Sequence, residues 1–222
     1  LYAVLHPLWS RHPAAASVQI AGDILLITGL VYVTGGIDSP FSLLYFVPVI
    51  SAGPILVEAA RRATKLTLDA HLMIEHPEKQ VEAFAKAGAD SISVHFEACR
   101  DLRKVLDLIQ KCGVRRSIAI NPETPVSAVF PYLHQVEMIL IMTVNPGWAG
   151  QGFIPECLPK VSELARLVKE KQLAVEIEVD GGVKVNNIGP CSEAGASVFV
   201  AGSAIFKSPD YKKTLEAMRG NI

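Results

Sequence analysis

Val179-Asp180-Gly181-Gly182 closes an apolar run that begins at Ala174, and Ala201-Gly202-Ser203 closes a second run that begins at Ser197. The first run delivers a carboxylate and two glycines where a strand should end. The second delivers Gly-Ser at the equivalent point. Paired strand ends that offer backbone N–H groups without intervening side chains make a cradle for phosphate. In an α/β barrel of the (β/α)₈ type such a cradle lies after the seventh and eighth strands, on the face that carries catalysis. Asp180 stands at its rim, so the pair supplies both a substrate handle and a chemical group.

Working outward, the chain from Leu66 alternates short apolar runs with amphipathic ones. Strands are expected at 66–74, 91–98, 114–121, 136–144, 174–180 and 197–201. Helices are expected at 77–89, 101–112, 126–134, 155–171, 187–194 and 210–219, with Leu102, Val105, Leu106 and Ile109 at helical spacing in the second. Six strand–helix units in succession are the signature of a parallel sheet with crossover helices. An internal echo agrees: Ala87-Gly88-Ala89 and Ala194-Gly195-Ala196 each end a helix on glycine and start a strand at once. Eight units close a barrel, so two would have to come from residues 1–60.

Those residues read differently. Between Arg11 and Glu58 the only charged side chains, His12 aside, are Asp23 and Asp38. The runs 17–34 and 39–57 are apolar nearly throughout and flank a turn at Gly35-Gly36, so membrane contact by residues 17–57 is one reading. Asp23 argues against it, since a carboxylate in hydrocarbon costs about 3 kcal/mol. Elsewhere the composition is that of one sizeable domain: 222 residues, net charge −1, and a pI near 6.7 that gives no electrostatic case for nucleic acid. Cys99, Cys112, Cys157 and Cys191 show no CxxC spacing and read as reduced thiols of a cytoplasmic protein.

Alternation puts Asp69, His71 and Met73 on one strand face, the barrel interior. His71 there is either a satisfied core histidine or a ligand. Ser93, His95 and Glu97 form the same kind of set in the next strand and read as interior hydrogen-bonding groups behind the site. Asn121 lines the pocket or caps the turn before Pro122. Gly147 and Gly150, in the loop after the run 136–144, leave room for a backbone that folds over a phosphorylated ligand.

Four blocks, taken together and in order, carry a resemblance: Leu68-Asp69-Ala70-His71-Leu72-Met73-Ile74, residues 142–153 (MTVNPGWAGQGF), Val179-Asp180-Gly181-Gly182 and residues 201–206 (AGSAIF). From about Gly53 to Ile222 the chain resembles the ribulose-phosphate 3-epimerases. The resemblance implies a TIM barrel that interconverts D-ribulose 5-phosphate and D-xylulose 5-phosphate in the pentose phosphate pathway, acting on a small pentulose phosphate as a homo-oligomer. It implies one divalent metal ion (Zn, Fe(II) or Mn) held by two His and two Asp, and two carboxylates on opposite faces of the substrate carbon. A single carboxylate would return the proton to the face it left. Carried over, His71 and Asp180 are metal ligands, and Asp180 is also a catalytic acid/base. His71, Gly147, Trp148, Ala149, Gly150, Gly181, Gly182, Gly202 and Ser203 bind substrate, and Met73 and Met142 line the reacting centre.

The family's other half-site belongs to a His-x-Asp-x-Met-Asp-Gly block that runs into Phe-Val-Pro. Aligned from Phe46-Val47-Pro48, the His position holds Asp38 and the catalytic Asp position holds Pro40. Residues 1–52 are instead similar to the membrane-sensor segment of bacterial histidine kinases, through residues 25–32 (LLITGLVY) and 34–41 (TGGIDSPF). The expected organisation is therefore an atypical apolar segment over 1–52 and an epimerase-like barrel over 53–222, with the first two βα units replaced. Its function is epimerisation impaired by the missing half-site. The alternatives are a catalytically dead phosphosugar-binding remnant, and membrane association of the N-terminal segment, with Asp38 a turn former or a substitute carboxylate.

Overall fold

A computed structural model describes residues 53–146 and 151–222. Among them, six parallel strands form one sheet in chain order: β1 (Asp69–Leu72), β2 (Ser91–His95), β3 (Arg115–Ile120), β4 (Met138–Met142), β5 (Glu176–Asp180) and β6 (Val198–Val200). Each pairs with the next, with His71 opposite Ser93, Ala119 opposite Leu140, and Met142 opposite Asp180. Sequential parallel order with helical crossovers is the winding of a TIM barrel, and the described residues supply six of its eight strands. The helices that accompany them are α1 (Gly53–Ala63), α2 (Val81–Ala87), α3 (Leu102–Lys111), α4 (Leu158–Glu170), α5 (Ile188–Glu193), α6 (Ser203–Phe206) and α7 (Tyr211–Arg219).

The strands bury both faces, which is why they read as almost unbroken apolar runs. Ile92, Ile118, Ile139, Ile141 and Val179 face outward into the layer shared with Val105, Leu106, Ile109, Val161 and Leu164 of the helices, and all ten are fully or almost fully buried. Inside, Ala119, Leu140, Met142 and Val144 form a smaller apolar cluster. Helix boundaries follow their caps. The side chains of Asp101 and Asp210 accept from the backbone N–H of Lys104 (3.2 Å) and Lys213 (3.0 Å), fixing the starts of α3 and α7.

The repeated glycines have a specific cause. Gly88 has φ +103° and Gly195 φ +108°, so both turn the chain left-handed from helix to strand. At Gly195 a Cβ would also lie 2.4 Å from the Ala165 methyl of α4.

The structure moves some boundaries. The strand expected over 91–98 stops at His95, and Phe96–Ala98 forms a single 3₁₀ turn, so Glu97 leaves the strand face. The helix expected over 126–134 is a 3₁₀ helix, Val126–Tyr132; Pro131 inside it has no N–H for an α-helical bond. The four-residue α6 was not anticipated. Residues 53–57, the end of the apolar run 39–57, belong to α1, where Val57 is buried in the core. Arg61 ties α1 down by donating to the Gly88 carbonyl at 3.1 Å and pairing with Asp90. Among the described residues no helix is long and apolar enough to cross a membrane. The rest of the run 17–57, Asp38 and the whole of 1–52 lie outside them.

Candidate active site

The chemical side chains singled out for the mouth of the barrel sit at the carboxyl end of the sheet. Asp180 is the last residue of β5, His95 the last of β2, and His71 lies one residue before the end of β1. Their register brings the three into one buried chain. His71 Nδ1 stands 3.7 Å from Asp180 Oδ2, and His71 Nε2 is 2.8 Å from His95 Nε2. The ring planes are 21° apart with centroids 4.8 Å apart, so the short approach is between nitrogen edges. His95 Nδ1 is 3.4 Å from Glu97 Oε2. Burial pulls the His71 pKa below its ordinary value although the neighbouring Asp180 carboxylate opposes this, which favours the neutral ring.

Asp180 Oδ2 is a buried oxygen without a hydrogen-bond partner. Together with His71 it offers an oxygen and a nitrogen donor of the kind a divalent cation takes. Among the described residues no group of three or more His, Cys, Asp or Glu gathers to hold a metal. His71 and Asp180 are thus a pair of such donors, two of the kind a metal site gathers in greater number.

Gly181 and Gly182 follow Asp180 with φ +126° and +66°. A Cβ at Gly181 would lie 2.5 Å from Val144 Cγ2 and 2.8 Å from the Val144 backbone N; one at Gly182 would lie 2.5 Å from the Phe153 backbone N. The β5 strand end is thus pressed against both arms of the loop that leaves β4. Gly202, two residues after β6, has open space where a Cβ would be, and Ser203 begins α6 beside it. These strand ends lie at one level because Asp180 pairs with Val200. Met142 is buried inside the barrel and Met73 is half-buried just past β1. Gly147, Trp148, Ala149 and Gly150 lie outside the described residues.

One residue here escaped the sequence reading. Thr143 is fully buried; its amide donates to the Asp180 carbonyl at 2.7 Å, and its hydroxyl donates to the Gly181 carbonyl at 2.6 Å. Its own carbonyl accepts from the Ile154 N–H at 2.9 Å. Thr143 therefore joins the Asp180–Gly181 strand end to the returning arm of the β4 loop. The available signal was a hydroxyl interrupting an otherwise apolar strand end. Asn121 proves to act through its backbone: its N–H donates to Glu97 Oε1 at 2.8 Å.

Below the mouth the interior holds carboxyls that water does not reach. Burial pushes Asp69 up to about 6 from an ordinary 3.8, against the hydroxyls of Ser91 and Ser93. Burial, with the like charges of Asp69 and Asp180, pushes Glu178 well above its ordinary range, and neither of its carboxyl oxygens has a hydrogen-bond partner. The folded state therefore holds protons that the unfolded chain releases first. Stability from these groups is full below the unfolded pKa and falls as pH rises through the window from about 4 to about 6 for Asp69. Asp69→Asn is expected to remove that part of the decline, on the order of 2–3 kcal/mol. Urea unfolding at stepped pH checks it; an unchanged slope in the variant contradicts it.

Comparison with known proteins places the chain. Residues 44–206 match the ribulose-phosphate 3 epimerase family, and residues 1–61 match a PilS-like transmembrane domain. The ribulose-phosphate 3-epimerase of Bacillus subtilis is 47% identical over 178 residues, covering 80% of this chain and 82% of that protein. The Escherichia coli K12 protein of the same name is 42% identical over 179 residues, covering 80% of each. Among solved structures, 3-hexulose-6-phosphate synthase (TM-score 0.59, 21% identity, 77% of this chain and 81% of that one) has a similar fold. So has KGPDC from Streptococcus mutans (TM-score 0.58, 14% identity, 76% of this chain and 78% of that one). The chain belongs to the ribulose-phosphate 3-epimerase family, a family of isomerases.

Proposed function

We propose that this member of the ribulose-phosphate 3-epimerase family inverts C3 of D-ribulose 5-phosphate to give D-xylulose 5-phosphate, with Asp180 as the acid/base on one face of the substrate carbon. The observation that carries this is the Asp180 carboxylate itself: buried, with Oδ2 lacking a hydrogen-bond partner, and next to two glycines that leave backbone rather than side chain at the mouth. Removal of the C3 proton by Asp180 sends the C–H electron pair toward the C2 carbonyl, and return of a proton to C3 completes the exchange. The glycines at 181, 182 and 202, with Ser203 and the loop residues 147–150, hold the phosphate end and so orient C3 toward Asp180. His71 and Asp180 are the described residues that would hold a divalent cation. When bound it would stabilise the negative charge that develops on the substrate's oxygens.

Inversion needs a second carboxylate on the opposite face. Position 40, where the family's pattern puts it, holds proline, and Asp38 lies nearest in sequence. Proton exchange at C3 is therefore proposed to outrun inversion in this chain. The division of the chain near residue 52 belongs to the same proposal, with residues 1–52 a segment of different origin. Similarity of residues 1–61 to a transmembrane domain supports this and leaves membrane attachment of that segment as a second reading.

The test is turnover of ribulose 5-phosphate by the full chain in a xylulose 5-phosphate-coupled assay, with Zn²⁺, Fe²⁺ or Mn²⁺ supplied in turn. Metal-dependent product formation is expected, slower than proton exchange at C3. No product with any of the three would sink the epimerase reading in favour of a binding remnant.

A further inference from the structure

Glu97 is held more firmly than a half-exposed carboxylate needs to be. Its Oε1 accepts from the Asn121 N–H at 2.8 Å and from the Thr124 hydroxyl. The loop that supplies both donors is itself pinned by Lys160 of α4, whose ammonium donates to the carbonyls of Asn121 (3.3 Å), Pro122 and Thr124 (2.6 Å). Burial would raise the Glu97 pKa, but hydrogen bonds from His95, Thr124 and Asn121 outweigh it and pull the carboxyl down to about 2. An ionised carboxylate is an acceptor only. That fixes the polarity of everything behind it.

His95 Nδ1, 3.4 Å from Glu97 Oε2, must carry the proton, which leaves the lone pair on His95 Nε2. His95 Nε2 and His71 Nε2 are 2.8 Å apart, and one of them has to donate. Because His95 presents a lone pair, His71 carries its proton on Nε2. His71 Nδ1 is then the unprotonated nitrogen, and it is the one that faces Asp180 Oδ2 at 3.7 Å. Two lone pairs converging at that separation suit a cation between them. Reversing the series would give up the 3.4 Å donation from His95 to the Glu97 carboxylate for one from His71 Nδ1 to Asp180 across 3.7 Å, which is longer than a hydrogen bond.

We propose that Glu97 and His95 are positioning residues that set the tautomer of His71, so that His71 and Asp180 are preset to grip a divalent cation. The cation itself rests on the reading given under Proposed function; the tautomer does not. Hydrogen-bond partners behind a metal-binding histidine fix its orientation and basicity in this way.

Glu97→Gln makes the polarity testable. The amide oxygen has to stay where Asn121 and Thr124 donate, so the NH₂ group turns to His95 Nδ1. The proton of His95 then moves to Nε2, and that of His71 moves to Nδ1, where it points at Asp180 in place of a cation. Each ring keeps one proton throughout. Long-range ¹H–¹⁵N correlation of the histidine-labelled full chain, stripped of metal with EDTA above the ordinary histidine pKa, reads both rings directly. Wild type is expected to show His95 protonated at Nδ1 and His71 at Nε2, and the variant the reverse. Zn²⁺ affinity by equilibrium dialysis is expected to fall about 10–100-fold in the variant.

A wild-type spectrum with His71 protonated at Nδ1 overturns the proposal whether or not the variant folds. So does a folded variant with unchanged tautomers. Predicted tautomers in both proteins support the positioning role, even in a wild type that binds no Zn²⁺; that last result would instead remove the cation reading.

Discussion

Asp180→Asn is expected to lower kcat for ribulose 5-phosphate by about 10²–10⁴-fold, the usual cost of removing a general acid/base. Asparagine keeps the shape of the side chain, so its neighbours have no steric reason to move. What it removes is the group proposed to take a proton from carbon, and the carboxylate that stands beside His71. The loss should therefore persist at saturating substrate and saturating metal, with thermal stability little changed. Steady-state kinetics beside a melting curve separates the two effects. A variant with near wild-type kcat would remove Asp180 from the chemistry.

The second large effect is structural and sits one residue away. Gly181 has φ +126°, a conformation open to glycine and costly for any residue with a Cβ, and an added Cβ would meet the Val144 side chain at 2.5 Å and its backbone N at 2.8 Å. A left-handed strain of about 1–3 kcal/mol adds to an overpacking term of similar size. Gly181→Ala is accordingly expected to cost about 2–5 kcal/mol of stability. It should also push the strand end away from Thr143, whose hydroxyl donates to the Gly181 carbonyl at 2.6 Å. Urea unfolding gives the first number, and the KM for ribulose 5-phosphate should rise with it. Gly202→Ala is the matched control, because nothing lies within 4 Å of a Cβ there and its φ is −86°. Equal destabilisation of the two variants would contradict the account of Gly181.

The sheet was legible because its physics is local to each segment. The apolar runs around Ile92, Ile118, Ile139 and Ile177 announce strands buried on both faces, and the amphipathic runs between them announce crossovers. Gly88 and Gly195 marked the helix-to-strand turns that their positive φ values require. The position of Asp180 was legible for the same reason: a carboxylate followed by two glycines marks the end of an apolar run, and it is the last residue of β5. Glu97 was read as part of a strand face and proves to act from a 3₁₀ turn, reaching back to His95 because two donors from a distant loop orient it. That loop is set by Lys160, more than thirty residues farther on, and no local pattern could announce it. Thr143 was missed for the opposite reason. A threonine suits a strand so well that its hydroxyl drew no separate reading.

On the proposed function, the N-terminal segment bears on how far one half of a site can act. His71 and Asp180, with the glycines at 181 and 182 that follow, come from strands held in register through the pairings of β1 to β5, so their arrangement depends on all five. The two-carboxylate chemistry of epimerisation depends on the other side of the substrate carbon as well. On the proposed mechanism exchange and inversion are separable observables, because exchange requires one carboxylate and inversion requires two.

The most direct measurement is the fate of the C3 proton of ribulose 5-phosphate in D₂O, followed by ¹H NMR with the metal-supplemented full chain and with Asp180→Asn. The C3 signal should disappear with wild type, ahead of the appearance of xylulose 5-phosphate, and persist with the variant. A C3 proton retained with wild type, or lost equally fast with both proteins, would contradict the assignment of Asp180 as the group that moves it.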